Sequence, residues 1–214
     1  MAYTEAEILE RLHGNSMRML SELGMVFHSE EALSILRRGG VRVDGWRAFF
    51  TERQVMDALD ASARTFTLRA RNPRHDLPIG PESLHVTPGY GSACIAETDG
   101  TLREARFDDF LNLAALVQQS DVFSINGGIL AQPCDLDAAI AAPAMVYATL
   151  KRSDKALFSV SADRARTRSI LKLLEIVFGT ETLLETPCSV TLISTMSPLA
   201  IDQNALDTLL LLAR

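Results

Sequence analysis

The side chains that usually carry acid–base, nucleophilic or metal chemistry are sparse in this sequence and badly spaced for it. The histidines are His13, His28, His75 and His85, and the cysteines are Cys94, Cys134 and Cys188. His85 and Cys94 are the nearest approach to a ligand pair, and two ligands at arbitrary spacing do not make a metal site. An odd, scattered set of cysteines without a C-x-x-C pair reads as reduced thiols, not as a disulfide frame or zinc site. Asp108 and Asp109 begin a helical stretch, where they complement its dipole. Arg164, Arg166 and Arg168 fall in the first turns of another, where a solvated face and an anionic partner both account for them. No P-loop, G-x-S-x-G elbow, G-x-G-x-x-G frame, kinase set or catalytic triad is present.

Four small, polar junctions stand out instead, each following a short apolar run. They are Thr87-Pro88-Gly89-Tyr90-Gly91-Ser92, Asn126-Gly127-Gly128, Ser159 with Ser161, and Ser194-Thr195-Met196-Ser197-Pro198. In parallel α/β architectures the working residues gather at the carboxyl ends of strands. Gly89, Tyr90, Gly91, Asn126, Gly127, Ser159, Ser161, Thr195 and Ser197 are therefore the candidate pocket rim. Singly, each has a structural explanation: a tight turn, a loop needing positive φ, or strand alternation. Four such ends facing one mouth are more open than a structural rim requires.

The elements that would position them alternate along the second part of the chain. Strands are expected at 84–86, 122–125, 156–160 and 189–193, with helices at 107–119, 135–151, 163–178 and from Asp202 onward. Ile170, Leu173, Leu174, Val177 and Phe178 keep the spacing of a helix packed on one face. Pro143 falls inside the 135–151 helix and should bend it. A hairpin about Asp99-Gly100 joins 93–97 to 101–105. Alternation of this kind means parallel βαβ units. Residues 1–80 read differently, as a helical cap with nothing catalytic in it. Thr4-x-x-Glu7 and Thr51-x-x-Gln54 are capping boxes, Ser29 starts a helix, and Asp44-Gly45 suits a two-residue hairpin. The apolar run of the first helix ends at Gly24, and 66–70 alternates like a strand. The polar run Arg71–Asp76 reads as a surface turn.

The fold class is α/β, divided at 1–80 and 81–214. Four βα units make either a small open sheet or the first half of a (β/α)8 barrel. The final helix has no terminating residue before Arg214, which favours a barrel cut in mid-helix. The chain has 214 residues, 47% hydrophobic and 22% charged, with a net charge of −6. That is ordinary globular composition and disfavours nucleic acid as a partner. The run 209–213 is too short to span a bilayer, and Met1–Glu10 lacks the basic and apolar regions of a leader, so the expected setting is the cytoplasm.

Several of these segments resemble the trimethylamine:corrinoid methyltransferase family. The resemblance rests on 64–73, on Asp76-Leu77-Pro78-Ile79-Gly80, on Pro88-Gly89-Tyr90-Gly91 and on Ser197-Pro198-Leu199, in that order along the whole chain. The Glu-Glu-Ala-Leu helix and the Val-Asp-Gly turn of the opening region are similar as well. It implies a (β/α)8 barrel about twice this length. The activity implied is transfer of a methyl group from trimethylamine, or from a quaternary amine such as glycine betaine, to the cobalt of a corrinoid on a separate protein. Independently of the resemblance, the ligand spacing predicts no directly bound metal, and the sheet edges that four βα units expose predict a homo-oligomeric assembly. Members of one branch carry pyrrolysine, at a position beyond Arg214. Chemistry of this kind suits a sparse inventory, because the cofactor supplies the nucleophile and a quaternary amine leaves neutral, without a proton donor. The protein must then position the amine and exclude water. A quaternary cation favours aromatic faces, and Tyr90 is the aromatic residue at a strand end. Tyr147, in mid-helix, reads as core. A non-catalytic binding or assembly module, and a barrel enzyme of other chemistry, remain open from sequence.

Overall fold

A computed structural model describes residues 4–213. Residues 1–3 and 214 lie outside them, so the leader and truncation expectations, which turn on the two chain ends, are not addressed by it. The chain forms two compact units, Met1–Ala63 with Ser194–Arg214, and Arg64–Ile193.

In the first unit, helix α1 (Glu5–Arg18) opens on the expected capping box. Thr4 Oγ1 accepts from the Glu7 N–H, and the Thr4 N–H donates to Glu7 Oε2. A wider turn over Met19–Leu23 follows and stops at Gly24. Strand β1 (Met25–Phe27) leads into α2 (Glu30–Arg38), capped by the Ser29 hydroxyl. Strands β2 (Arg42–Asp44) and β3 (Arg47–Phe49) form the hairpin that Asp44-Gly45 predicts, and α3 (Glu52–Ala61) starts on the second capping box. Leu33, Ala48 and Leu206 are the buried centre of this unit, and a fully buried leucine contributes about 1.5–3 kcal/mol. None of the α1 residues is buried, and Leu9 and Leu12 are well exposed.

In the second unit, β4 (Phe66–Leu68) pairs with β5 (Leu77–Ile79), and β6 (Cys94–Ala96) with β7 (Leu102–Glu104). Helix α4 (Phe107–Gln119), β8 (Ile125–Gly127), α5 (Ala138–Arg152), β9 (Ala156–Ser159), α6 (Arg164–Phe178), the short α7 (Thr180–Glu185) and β10 (Ser189–Thr191) then follow. The sheet order is β10-β9-β8, all parallel, with Asn126 opposite Leu157 and Val190 opposite Phe158. Alternating helices and parallel strands thus form as the periodicity predicts, and the fold is α/β. Helix α5 continues through Pro143 over its full length, with Ala141, Ala142 and Met145 buried around the proline.

The described residues depart from the expected four-strand series, and no closed barrel is present among them. Leu84-His85-Val86 does not form a strand. Leu84 is 90% exposed, Pro88 has no N–H to give, and the segment is held by the Ser124 N–H on Val86 O and by His85 Nε2, 2.7 Å from Pro78 O. The second strand starts three residues later than expected, because exposed Val122 gives way to buried Ile125, which puts Asn126 and Gly127 inside it. Residues 194–214 pack with the first unit, not with the parallel sheet. The reason is β11 (Ala200–Ile201), which pairs in parallel with β1 and carries α8 (Gln203–Leu212) onto the Phe27–Leu33 core.

Candidate functional site

The pleat of the three-stranded sheet decides which residues can serve a pocket. Ile125, Ala156, Phe158 and Val190 share one face, packed with Leu68 and Ala70 of the β4 region. Leu157 lies on the other face with α4, α5 and α6. The register puts Asn126 and Ser159 on that helix-facing side, because side chains alternate along a strand. Asn126 is fully buried there, its Nδ2 donating to Ala114 O at 2.9 Å and its Oδ1 accepting from the Gly127 N–H at 2.8 Å. Its amide ties the strand to α4. Ser159, 2% exposed, is equally enclosed.

At the carboxyl end the other face is built from glycines and rings. Tyr90 stacks at a tilt on Phe158, centroids 5.3 Å apart, and its Cδ2–Cε2 edge lies over Gly128. A Cβ on Gly128 would fall 2.8 Å from that ring, and one on Gly127 would fall 2.5 Å from Phe158 O. The Tyr90 segment is fastened beside the sheet by the Gly91 N–H on Ile129 O (2.7 Å) and the Gln132 N–H on Ser92 O (2.7 Å). Gly89, Tyr90 and Gly91 also line a cavity of about 640 Å³ on the helix side of this segment, whose remaining walls are Pro88, Ser92, Leu113, Leu116 and Val117 of α4, Ser120, Phe123 and Leu130. No carboxylate, imidazole or ammonium is among these lining residues. Burial pushes the Tyr90 phenol above its ordinary pKa, so it is neutral near pH 7 and any attraction for a cation comes from the ring face.

Charged side chains border this layer at both ends, and Lys155 bonds the backbone of three cavity walls, Val117, Ser120 and Phe123. Lys155 precedes β9 and is 9% exposed; its Nζ donates to the carbonyls of Val117, Ser120 and Phe123, closing the C-terminus of α4. Burial lowers its pKa, and the charges of Asp121 and Asp154 oppose that. Asp154 accepts from Asn72 Nδ2 (2.9 Å) and Gln118 Nε2 (2.8 Å), with His75 Nε2 at 3.5 Å. These bonds, Asn72 first, hold its carboxyl below the usual range. The Arg71–Asp76 run is therefore docked, since Arg71 Nη1 also donates to Leu150 O and the Asn72 N–H to Asp154 O. Asp109 receives both guanidinium nitrogens of Arg103 and the Arg106 N–H, which lowers its pKa to about 2, Arg103 contributing most.

Of the nine rim residues, Gly89, Tyr90 and Gly91 line the cavity and Gly127 adjoins Phe158 beside it. Asn126 and Ser159 turn toward the helices, and partly buried Ser161 lies in the turn into α6. Thr195 and Ser197 are exposed in the first unit, where the chain turns between Met196 and Ala200. Sequence reasoning missed Phe158, which reads as core within an apolar strand, and treated Gly128 as loop. Its available signal was the strand parity of Phe158 with Ala156. Among the described residues no group of three His, Cys, Asp or Glu could hold a metal ion, and no helix is long and apolar enough to cross a membrane.

Comparison with known proteins covers the chain from end to end. The family described as trimethylamine methyltransferase (MTTB) matches residues 1–214. The glycine betaine methyltransferase of Desulfitobacterium hafniense (strain Y51) is 33% identical over 208 residues, 97% of this chain and 43% of that protein. The trimethylamine methyltransferase MttB of D. hafniense (strain DSM 10664 / DCB-2) is 26% identical over 95% of this chain and 42% of its own. A proline betaine:corrinoid methyltransferase of Eubacterium limosum is 31% identical over 63% of this chain and 28% of its own. The chain spans less than half the length of the curated relatives it matches. With a family match over every residue and the order of motifs already apparent in its sequence, this chain belongs to the trimethylamine methyltransferase family.

Proposed function

We propose that this chain supplies the amine-facing part of a methyltransferase that moves a methyl group from a methylated amine to a corrinoid carried by a separate protein. A quaternary amine of the betaine type suits the cavity best. The observation that carries this reading is the Tyr90 ring, held on Phe158 and Gly128 at the carboxyl end of the parallel sheet, lining a cavity without charged walls. A trimethylammonium group is a cation with an apolar surface. Aliphatic walls and an aromatic face accommodate both properties, whereas a carboxylate would ask it to keep its water. Family membership and the names of the relatives support the same reading.

The chain's own residues have a limited task in this chemistry. Tyr90 orients the ammonium so that one methyl projects from the ring face, and Leu113, Leu116 and Phe123 exclude water around it. The methyl–nitrogen bond breaks with its electron pair passing to nitrogen, so the amine departs neutral and no proton donor is required here. The corrinoid, when its protein docks, supplies the nucleophile that accepts the methyl. Gly89 and Gly91 are exposed beside Tyr90, so a corrinoid docking there would approach bare backbone. We also propose that the β8–β9–β10 units form part of a (β/α)8 barrel in a cytoplasmic protein, on the strength of their parallel order and alternating helices.

Proton NMR of glycine betaine tests the site directly. Added wild-type chain should move the N-methyl resonance upfield, as expected for nuclei over a ring face, and Tyr90→Leu should abolish the shift. An unshifted resonance with wild-type chain, or an equal shift with Tyr90→Leu, would overturn the reading.

A further inference from the structure

Tyr90 has no hydrogen bond that fixes its ring plane among those the structure records; what fixes it is steric. One edge rests on the bare backbone of Gly128 and one face leans on Phe158. Gly128 is in the left-handed region at φ 72° and buried, and its N–H donates to Phe158 O at 2.7 Å, so the same residue locks the two strands and presents a flat floor. A methyl group there would meet Tyr90 Cδ2 and Cε2 at 2.8 Å but Phe158 Cδ1 at only 3.3 Å. Beyond the backbone strain that any side chain meets at this φ, the ring is the neighbour that must move. The backbone beside it is tethered by the Gly91 N–H on Ile129 O.

We propose that Gly128 is the positioning residue of the ammonium site: the absence of its side chain sets the tilt of Tyr90 that offers a ring face to the methylated cation. This rests on the reading that the Tyr90 face takes a methylated ammonium, and it adds a specificity element two residues beyond the buried Asn126. Neither glycine flexibility nor turn formation alone requires a ring over this position. Gly128 does not touch the substrate in this arrangement; it acts through Tyr90.

The test combines ligand binding with a double-mutant cycle. With glycine betaine as probe, Gly128→Ala should weaken binding roughly tenfold, the scale of one lost cation–aromatic contact, and should shrink the upfield N-methyl shift. Tyr90→Phe, which keeps the ring, should retain both. In thermal unfolding, the loss of Tm caused by Gly128→Ala should be smaller in a Tyr90→Leu background, because the ring that the new methyl strikes is gone. If Gly128→Ala alone fails to fold, folding of the Gly128→Ala/Tyr90→Leu pair supports the proposal and failure of both overturns it. Wild-type binding by Gly128→Ala overturns it while leaving Tyr90 as the cation face. An undiminished Tm loss in the Tyr90→Leu background also overturns it, since the cost would then lie in the backbone. A wild-type chain that leaves the probe unshifted removes the underlying reading and this proposal together.

Discussion

At the amino end of the β8–β9–β10 sheet, Lys155 and Asp154 hold helix C-termini, strand starts and the 71–76 turn through side-chain bonds to named carbonyls and amides. At the carboxyl end Tyr90, Phe158 and two glycines are packed by shape, and the cavity that Tyr90 shares with α4 is lined by no charged residue, although Lys155 bonds the carbonyls of three of its walls. The contrast separates two duties. The charged groups beside the cavity are consumed in joining elements, which leaves the cavity lining itself apolar. A titratable group is thus a poor guide to the proposed site in this chain, and the most perturbed ones, Asp109 and Arg103, are structural.

The sharpest way to break that division is to remove the amino-end cation. Lys155→Met leaves the α4 carbonyls without their donor and should cost about 3 kcal/mol in denaturant unfolding. The glycine betaine shift should survive in the fraction that remains folded. A loss of stability below about 1 kcal/mol would mean that water replaces the ammonium, and the end would not be the anchor described.

Asp154→Ala should cost somewhat less, about 2 kcal/mol, since two neutral-donor bonds to a carboxylate are lost at a partly exposed site. Its pH dependence has a definite sign. The folded carboxyl titrates below the ordinary aspartate value, so its contribution is complete above that value and is lost as pH falls through the depressed one. Wild type should therefore lose more stability than Asp154→Ala on acidification across that window. Equal slopes for the two proteins in acid unfolding would contradict the assignment.

Tyr90→Leu sharpens the comparison from the other end. It removes one tilted aromatic contact from a half-exposed ring, worth about 0.5–1.5 kcal/mol, while abolishing the betaine shift. Large ligand loss with small stability loss is the inverse of the Lys155→Met pattern, and a Tyr90→Leu chain that melts like Lys155→Met would erase the distinction.

How much of this was legible follows from what kind of contact each feature is. Local features were readable: both capping boxes, the Asp44-Gly45 and Asp99-Gly100 hairpins, the 107–119 helix and the Asp163 and Asp202 caps depend on residues within four positions. Parity was harder. Asn126, Ser159 and Phe158 are three polar or apolar letters near strand ends, and a shift in the start of β8 decides which face each one takes. Long-range docking was not readable at all. The pairing of β11 with β1 spans most of the chain and places Thr195 and Ser197 in the first unit, although sequence alone puts them on the pocket rim. The Asn72–Asp154 bond likewise converts an unremarkable polar run into a staple.

The smallest expected effect concerns the ion pair at the start of α4, the end of that helix away from Lys155. Arg103 grips Asp109 through both guanidinium nitrogens, and Asp109 also accepts the Arg106 N–H that begins the helix. Asp109 titrates at about 2, below its ordinary value of about 3.9, so its stabilisation is full above pH ~4 and disappears as pH falls toward 2. Asp109→Asn keeps an acceptor for the Arg106 N–H but loses the charge. At neutral pH it should cost little, because Arg103 is 42% exposed and also paired with Glu97, and exposed pairs contribute weakly. Between pH 4 and 2 the variant should lose less stability than wild type, and 1 M salt should narrow the gap at neutral pH. A strong neutral-pH penalty that salt leaves untouched would show that this end, too, is anchored by charge. The division between an ionic amino end and an apolar carboxyl end would then hold for the sheet but not for the helix beside it.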